Sequence, residues 1–473
     1  MTLRDYWPYP TFRDGQEKIL DKVYQVWDNS DVVVIRLPTA WGKTPLSVAI
    51  QNWQLEQGHS AAITVPNNNL RKQNCEEWPH LKTVRAMKDY WLDRYNMTEE
   101  DFRKRIYKYG PKDSEYNRDK KAVKRVGTPI CVNYHSYIAH KLQRNVVIVD
   151  EAHLLLNTLR DFAARRLWHF QYGYPSNIRT LAQLKQWADQ QDDGNEGIKQ
   201  LKEELESLSP ATLVEAGWDL YRGEEKHCIK LIPLSVENSP PFFWPNKTNK
   251  IVLISATIGR EDIKRMGLAT RRVSYIDAAS PIPAANRAIK RQYVGNMSYS
   301  QQDKNLDALV DRIKELRDSH DGNGFVHASY SLAQKIKQRM AGCDWAVFHE
   351  RDPKKKQEAY DKFAETPSSE RKVMIGSGFE AGVDMKYDIA CWQAIAKVPY
   401  PSLAEPAIRW VAKNQSAYYT WVVSQTIMQA CGRVCRAPDD IGITYILDSS
   451  FDGWFERSKD ELPLWFHEAL EEK

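Results

Sequence analysis

Residues 32–44 read V-V-V-I-R-L-P-T-A-W-G-K-T, and this stretch decides the fold class. Four consecutive β-branched residues, Val32 to Ile35, suit a strand buried on both faces, as in a parallel sheet. The strand runs into a loop holding Thr39, Gly42, Lys43 and Thr44, after which helix formers take over. A strand, a glycine-containing loop and a helix N-terminus together cradle phosphate. Backbone N–H groups face the oxygens, the lysine reaches the β and γ phosphates, and the threonine hydroxyl ligates Mg²⁺. Two positions depart from the general pattern: Leu37 stands at the first glycine position, and Ala40 stands where glycine is usual. A lone G-K-T after a strand arises by chance often enough to need independent support.

That support comes from V-V-I-V-D-E-A-H at residues 146–153. Four aliphatic residues end in Asp150 and Glu151, which places an acidic pair at the carboxyl end of a strand, where α/β sheets bind ligands. Asp150 is expected to hold Mg²⁺ through water, and Glu151 to orient or deprotonate the attacking water. The bland alternative, acids favoured at a helix N-terminus, loses ground once the phosphate loop is set beside it. A third cluster, Q-A-C-G-R-V-C-R at residues 429–436, offers Gln429, Gly432, Arg433 and Arg436. Two arginines at i, i+3 share one helix face. From there both would point at one γ-phosphate and stabilise the charge that spreads over its oxygens during transfer.

Working outward, β-branched runs recur at Ala61–Val65, Ile251–Ile254, Phe325–Ala328, Val373–Ile375 and Ile443–Leu447, each followed by a loop and a helix-like stretch. This alternation predicts parallel α/β sheets. The runs form two groups, separated by Ala278–Arg291, whose prolines and polarity read as a linker. At 473 residues the chain exceeds what one core supports. The expected architecture is therefore a lobe over 1–285 and a second over 286–473. Two stretches interrupt the first lobe. Residues from about 75 to 127 are basic and aromatic, with R-K-R-I-Y-K and K-K-A-V-K-R. Residues 154–245 read as largely helical, with Ile198, Leu201, Leu205 and Leu208 on one apolar stripe.

Composition excludes more than it assigns. No apolar stretch approaches the roughly 18 residues a membrane span needs. The N-terminal residues lack the apolar core of a secretion signal, and seven cysteines without a C-x-x-C pair suit reduced thiols. A cytoplasmic or nuclear location is expected. A net charge of +5 is too mild to identify a nucleic-acid binder by itself. Sixteen tryptophans could offer faces on which bases stack, but most tryptophans are core filler.

Seven motifs stand in order along the chain. They are F-R-D-G-Q ending at Gln16, P-T-A-W-G-K-T, T-V-P-N-N-N-L, D-E-A-H, I-S-A-T-I, G-F-E-A-G-V-D and Q-A-C-G-R-V-C-R. The series resembles the superfamily 2 helicases. The stretches S-P-I-P-A-A-N-R, G-F-E-A-G-V-D-M and V-P-Y-P-S-L-A-E-P look most like the XPD/DinG group. The resemblance implies two RecA-like lobes with an arch-like helical insertion in the first, working as an ATP-driven DNA helicase that moves 5′ to 3′. It implies that Gln16 reads the adenine edge and that Thr39, Gly42, Lys43 and Thr44 bind nucleotide. It further implies that Thr44 and Asp150 hold Mg²⁺, and that Gly382 and Asp384 approach the nucleotide from the second lobe beside Arg433 and Arg436. His153, Ser255 and Thr257 would couple nucleotide state to movement, while Asn68 and Ser329 would lie near the nucleic-acid backbone.

The group commonly carries an iron-sulfur cluster on four cysteines between T-V-P-N-N-N-L and D-E-A-H, and this chain has only Cys75 and Cys131 there. No cluster is expected. The basic stretch Arg103–Arg125 would serve as a nucleic-acid contact in its place, or is a plain solvated surface. The expected partner is single-stranded or tailed duplex DNA, with RNA as the alternative, and the chain is expected to work as a monomer. A different class of reading is a strand-binding or annealing module whose ATPase is regulatory. Stimulation of turnover by single strands separates the two.

Overall fold

The computed structural model describes residues 1–87, 89–90, 115–192, 194–221, 224–239, 243–244, 248–379, 385 and 387–471. Two compact units emerge. Unit 1 comprises Met1–Ile35, Lys43–Ile276 and Ser402–Gln415, and unit 2 comprises Arg36–Gly42, Asp277–Pro401 and Ser416–Lys473.

Unit 1 is built on a six-stranded sheet. Its first strands are β1 (Val32–Arg36), β2 (Ala61–Val65), β3 (Ile130–Asn133) and β4 (Val146–Asp150). The chain then makes β5 (Arg165–Trp168), β6 (Thr212–Tyr221) and β7 (Glu224–Pro233) of a separate sheet. It returns through β8 (Lys250–Ser255) and β9 (Val273–Asp277). The spatial order is β3-β2-β4-β8-β1-β9, with β2, β3, β4 and β8 paired in parallel. Every residue of β2 and β4 is buried, as expected of strands covered on both faces. Helices α1 (Gln16–Val26), α2 (Lys43–Glu56), α3 (Asn68–Glu77), α4 (Glu115–Lys124) and α5 (Tyr134–Ala139) surround this sheet in the chain.

The stretch 154–245 contains helices α6 (Leu155–Ala163), α7 (Leu181–Asp189) and α8 (Glu196–Ser207), together with an antiparallel sheet ordered β5-β7-β6. Ile198, Leu201 and Leu205 form the buried stripe of α8, while Leu208 caps its end. Leu201 and Leu205 join Leu167, Leu184, Ile229 and Leu231 in a core separate from that of the main sheet. The helical reading did not anticipate this sheet. Its strands carry charges on one face, as in W-D-L-Y and E-E-K-H-C-I-K, and so lack the uniform apolar run of the parallel strands.

Unit 2 repeats the parallel theme with β10 (Ile289–Gly295), β11 (Gly324–His327), β12 (Ala346–Phe348), β13 (Val373–Gly376), β14 (Trp392–Ile395) and β15 (Ile443–Asp448). Their order is β10-β15-β14-β11-β13-β12, all in parallel register. A glycine is needed at position 324, because a Cβ there would lie 2.1 Å from the buried indole of Trp392 on the neighbouring strand. Helix α9 (Tyr330–Arg339) follows β11, and helix α10 (Ser416–Cys431) precedes β15. The architecture is α/β with two RecA-like lobes.

The stretch read as a linker, Ala278–Arg291, is only partly one. Its last residues enter β10, and Arg287 is buried, donating to the carbonyls of Ile282 and Trp465 and to the carboxylate of Glu468. A buried guanidinium needs such partners. The polarity that suggested a linker is that of an anchored, hydrogen-bonded segment.

Candidate active site

The phosphate loop connects β1 to α2, with Lys43 as the first residue of the helix. Gly42 turns the backbone with φ 95°, and Ala40 sits in the left-handed region at φ 65°. A Cβ in that region costs about 1–2 kcal/mol, so the departure read in the sequence at position 40 is a strained one. Lys43 Nζ donates to Glu151 Oε1 at 2.8 Å, with both side chains half-buried. Glu151 itself has φ 50°, a left-handed turn directly after β4 that carries its carboxylate away from the strand direction. The two strongest motifs therefore meet.

Asp150 lies beside them at 3% exposure, accepting the Glu151 N–H at 2.9 Å, while its own carbonyl accepts from the buried Tyr134 hydroxyl. Burial, then the Glu151 charge, pushes its carboxyl up to about 7, with Lys43 and the Glu151 N–H opposing. A buried carboxyl that resists ionisation fits a divalent cation, and the hard oxygen donors of Thr44 and Asp150 suit Mg²⁺.

The residues expected to couple nucleotide state to movement come together through strand register. Asp150 on β4 pairs with Ile254 on β8, so the residues just beyond, His153 and Ser255, are neighbours. His153 Nδ1 lies 2.7 Å from Ser255 Oγ and 3.5 Å from Glu151 Oε2, and the Ser255 hydroxyl accepts the Thr257 N–H at 3.1 Å. A chain of polar contacts thus runs from Lys43 through Glu151 and His153 to Ser255 and Thr257.

Other sequence candidates occupy structural positions. Gln16 is buried at the start of α1 and accepts the Arg13 N–H at 2.8 Å. The asparagine loop is the N-terminus of α3: Asn67 caps it, and Asn68 accepts from Asn133 Nδ2 at 2.7 Å. Ser329 is the N-cap of α9. Thr39 and Gly42 lie in the loop before Lys43. Gly382 and Asp384, like Arg103 to Ser114 of the basic stretch, lie outside the described residues. Cys75 and Cys131 are adjacent: the Cys131 thiol donates to the Cys75 sulfur, lowering the pKa of Cys75 and raising that of Cys131.

The arginine cluster differs from expectation. Helix α10 carries Gln429 but stops at Cys431, so Arg433 and Arg436 sit in the loop beyond it and share no helix face. Gly432 N–H still donates to Met428 in the helical pattern, whereas Arg433 N–H donates to Ala430, a tightened last turn that ends the helix. The buried Gln393 also donates to the Ala430 carbonyl at 2.8 Å and to Thr444 Oγ1. The loop is then pinned by Asp440, 3% exposed, whose Oδ2 accepts the Arg436 N–H at 3.1 Å and whose Oδ1 accepts the Tyr387 N–H at 3.1 Å. Sequence reasoning missed Asp440. The signal was the A-P-D-D-I-G that follows the arginines, a turn composition in which an aspartate accepts backbone N–H bonds.

The molecule can be set beside known proteins. Residues 13–182 match the DEAD/DEAH box helicase family, and residues 313–469 match the helicase C-terminal domain. No curated protein matches the sequence. Among solved structures, one titled an XPD helicase is similar, with a TM-score of 0.62 at 16% identity, covering 95% of this chain and 98% of that one. An apo XPD structure gives 0.59 at 15% identity over 93% and 98%, and S. tokodaii Xpd4 gives 0.54 at 13% identity over 94% and 97%. At these identities the likeness is one of fold.

Proposed function

We propose that the chain is a superfamily 2 helicase of the XPD/DinG-like group and that it is a monomeric motor on single-stranded DNA, stepping 5′ to 3′. Its class is an ATP-dependent helicase. The observation that carries the catalytic part is the Lys43–Glu151 contact with Asp150 buried behind it. The lysine and the glutamate satisfy each other at 2.8 Å. Were phosphates to take Lys43, Glu151 would exchange the lysine for a water proton while keeping His153 beside its other oxygen, so binding itself would arm the base. Thr44 and Asp150 would hold Mg²⁺, which when bound supplies charge neutralisation at the β and γ phosphates. Gln16 would face the base, and Gln429, Arg433 and Arg436, with Gly382 and Asp384, would serve the γ-phosphate. The polar contacts from Glu151 to Ser255 and Thr257 support these as the route by which nucleotide state reaches the strand-binding surface. On that surface Asn68 and Ser329 would face the backbone.

The test is unwinding and ATPase measured on 5′-tailed, 3′-tailed and blunt DNA, with an RNA strand as control. Unwinding of 5′-tailed DNA with DNA-stimulated turnover is expected. Unwinding confined to 3′-tailed substrates would remove the polarity, and equal stimulation by RNA would remove the preference for DNA. Turnover indifferent to any strand would favour the binding or annealing module.

A further inference from the structure

The opposite, amino-terminal end of β4 carries a second charged feature that the nucleotide site does not use. Lys120 and Lys124 from α4, with His140, Lys141 and Arg144 from the turn between α5 and β4, line a pocket of about 340 Å³. Among the described residues no acidic side chain lines it, and none pairs with Lys120, Lys124 or Lys141. Lys120 rests over the Tyr116 ring, 5.6 Å from its centre. Arg144 is 2% exposed, and its guanidinium donates to the carbonyls of Val123, Arg125 and Gln143, which leaves a buried Nε without a partner.

Part of this charge has a structural use, because cations favour helix C-termini and both α4 and α5 end here. The magnitudes do not match. Two helix ends supply about −0.5 charge each, whereas Lys120, Lys124, Lys141 and Arg144 bring four basic side chains to one pocket. The excess leaves the pocket strongly positive. Lys141 adds a separate observation. It lies just past the end of α5 at φ 51°, a left-handed position where glycine is usual and a lysine is strained. The fold alone gives no reason for a lysine there. His140 agrees with this field: burial, then Lys120 and Lys124, holds its pKa below the usual value.

We propose that this pocket is a phosphate-binding site, at the opposite end of the strands from Lys43, with Lys120, Lys124 and Lys141 as the contacts to the oxygens and the Arg144 guanidinium as the fixed charge behind them. It lies roughly 20 Å along β4 from Asp150, taking about 3.3 Å per residue over the intervening chain. The phosphate belongs either to a free anion or to the backbone of a nucleic-acid strand.

The full chain carrying Lys43→Ala, which removes the lysine of the nucleotide site, is titrated with inorganic pyrophosphate by calorimetry and with a single strand of about 20 nucleotides by anisotropy. Two further variants are compared with it: Lys120→Glu/Lys124→Glu, and Lys141→Gly. Affinity is expected to fall by about 10-fold or more in the double variant and several-fold in Lys141→Gly. Lys141→Gly should melt no lower than its parent, so its loss of binding is not a loss of fold. If the strand weakens and its salt dependence flattens, the phosphate is that of a nucleic acid. If only pyrophosphate weakens, the ligand is a free anion. Unchanged affinity of both ligands in both variants overturns the proposal and leaves these cations as helix caps.

Discussion

In unit 1 the charged groups follow a strand, and in unit 2 they follow a helix. Asp150 and Glu151 sit at the end of β4, where burial and parallel register fix the last residue. A single left-handed residue then aims the glutamate at Lys43. Arg433 and Arg436 instead follow the end of α10, where the backbone has left its repeat and a distant carboxylate, Asp440, sets the loop. A strand end needs only its own pattern to place a side chain. A loop after a helix needs a partner that the motif does not contain.

Lys43→Ala should cut ATP turnover by about 10³-fold or more, as removal of a preorganised phosphate contact does. Circular dichroism should stay unchanged, and wild-type turnover in this variant would contradict the assignment. Arg436→Ala should lower kcat by about 10²-fold with little change in nucleotide Kd, because its contribution grows in the transition state. Steady-state kinetics with an independent binding titration check this.

Asp440→Ala tests the pinned loop. It should cost about 1–3 kcal/mol of stability by stranding two N–H groups, and should lower kcat without contact to nucleotide. Asp440→Asn, whose amide oxygen accepts one of those bonds, should recover part of both. An unaltered kcat in Asp440→Ala would show that the arginines need no such anchor.

The acidic loop carries a cost that its partner lacks. The Asp150 carboxyl is raised from 3.8 to about 7, so the folded protein binds a proton that the unfolded chain releases between those values. Stability on this account is highest below about pH 4 and declines as pH rises to 7. Asp150→Asn should therefore stabilise the nucleotide-free, metal-free protein by about 1–3 kcal/mol at pH 8 and hardly at all at pH 4. Chemical denaturation at the two pH values reads the difference, and equal effects at both would remove the pH argument. Last, Ala40→Gly should raise stability by at most about 1 kcal/mol by relieving φ 65°, a shift thermal melting can register.

Much of unit 1 was legible because its strands are continuous apolar runs. Val32–Ile35, Ala61–Val65 and Val146–Val149 all lie in the observed strands, and the motifs at their ends meet. The strands that were missed are of other kinds. β3, β9, β10 and β12 are sheet-edge strands, β3 only four residues long and the other three with mostly half-buried residues. β14 is central but carries Gln393, a buried polar residue held by His327, Ala430 and Thr444 that breaks the apolar signal. The i, i+3 spacing of Arg433 and Arg436 suggested a helix face, yet Gly432 and the contacts at Ala430 end the helix before either arginine. Spacing predicts a shared face only while the helix lasts.

The most direct measurement compares ATP turnover of the wild type and of Lys43→Ala, with and without saturating single-stranded DNA. Low basal turnover that single strands raise by at least about 10-fold is expected of the wild type, and no response of the variant. Turnover that ignores the strand, or a variant that hydrolyses ATP at the wild-type rate, would contradict this expectation.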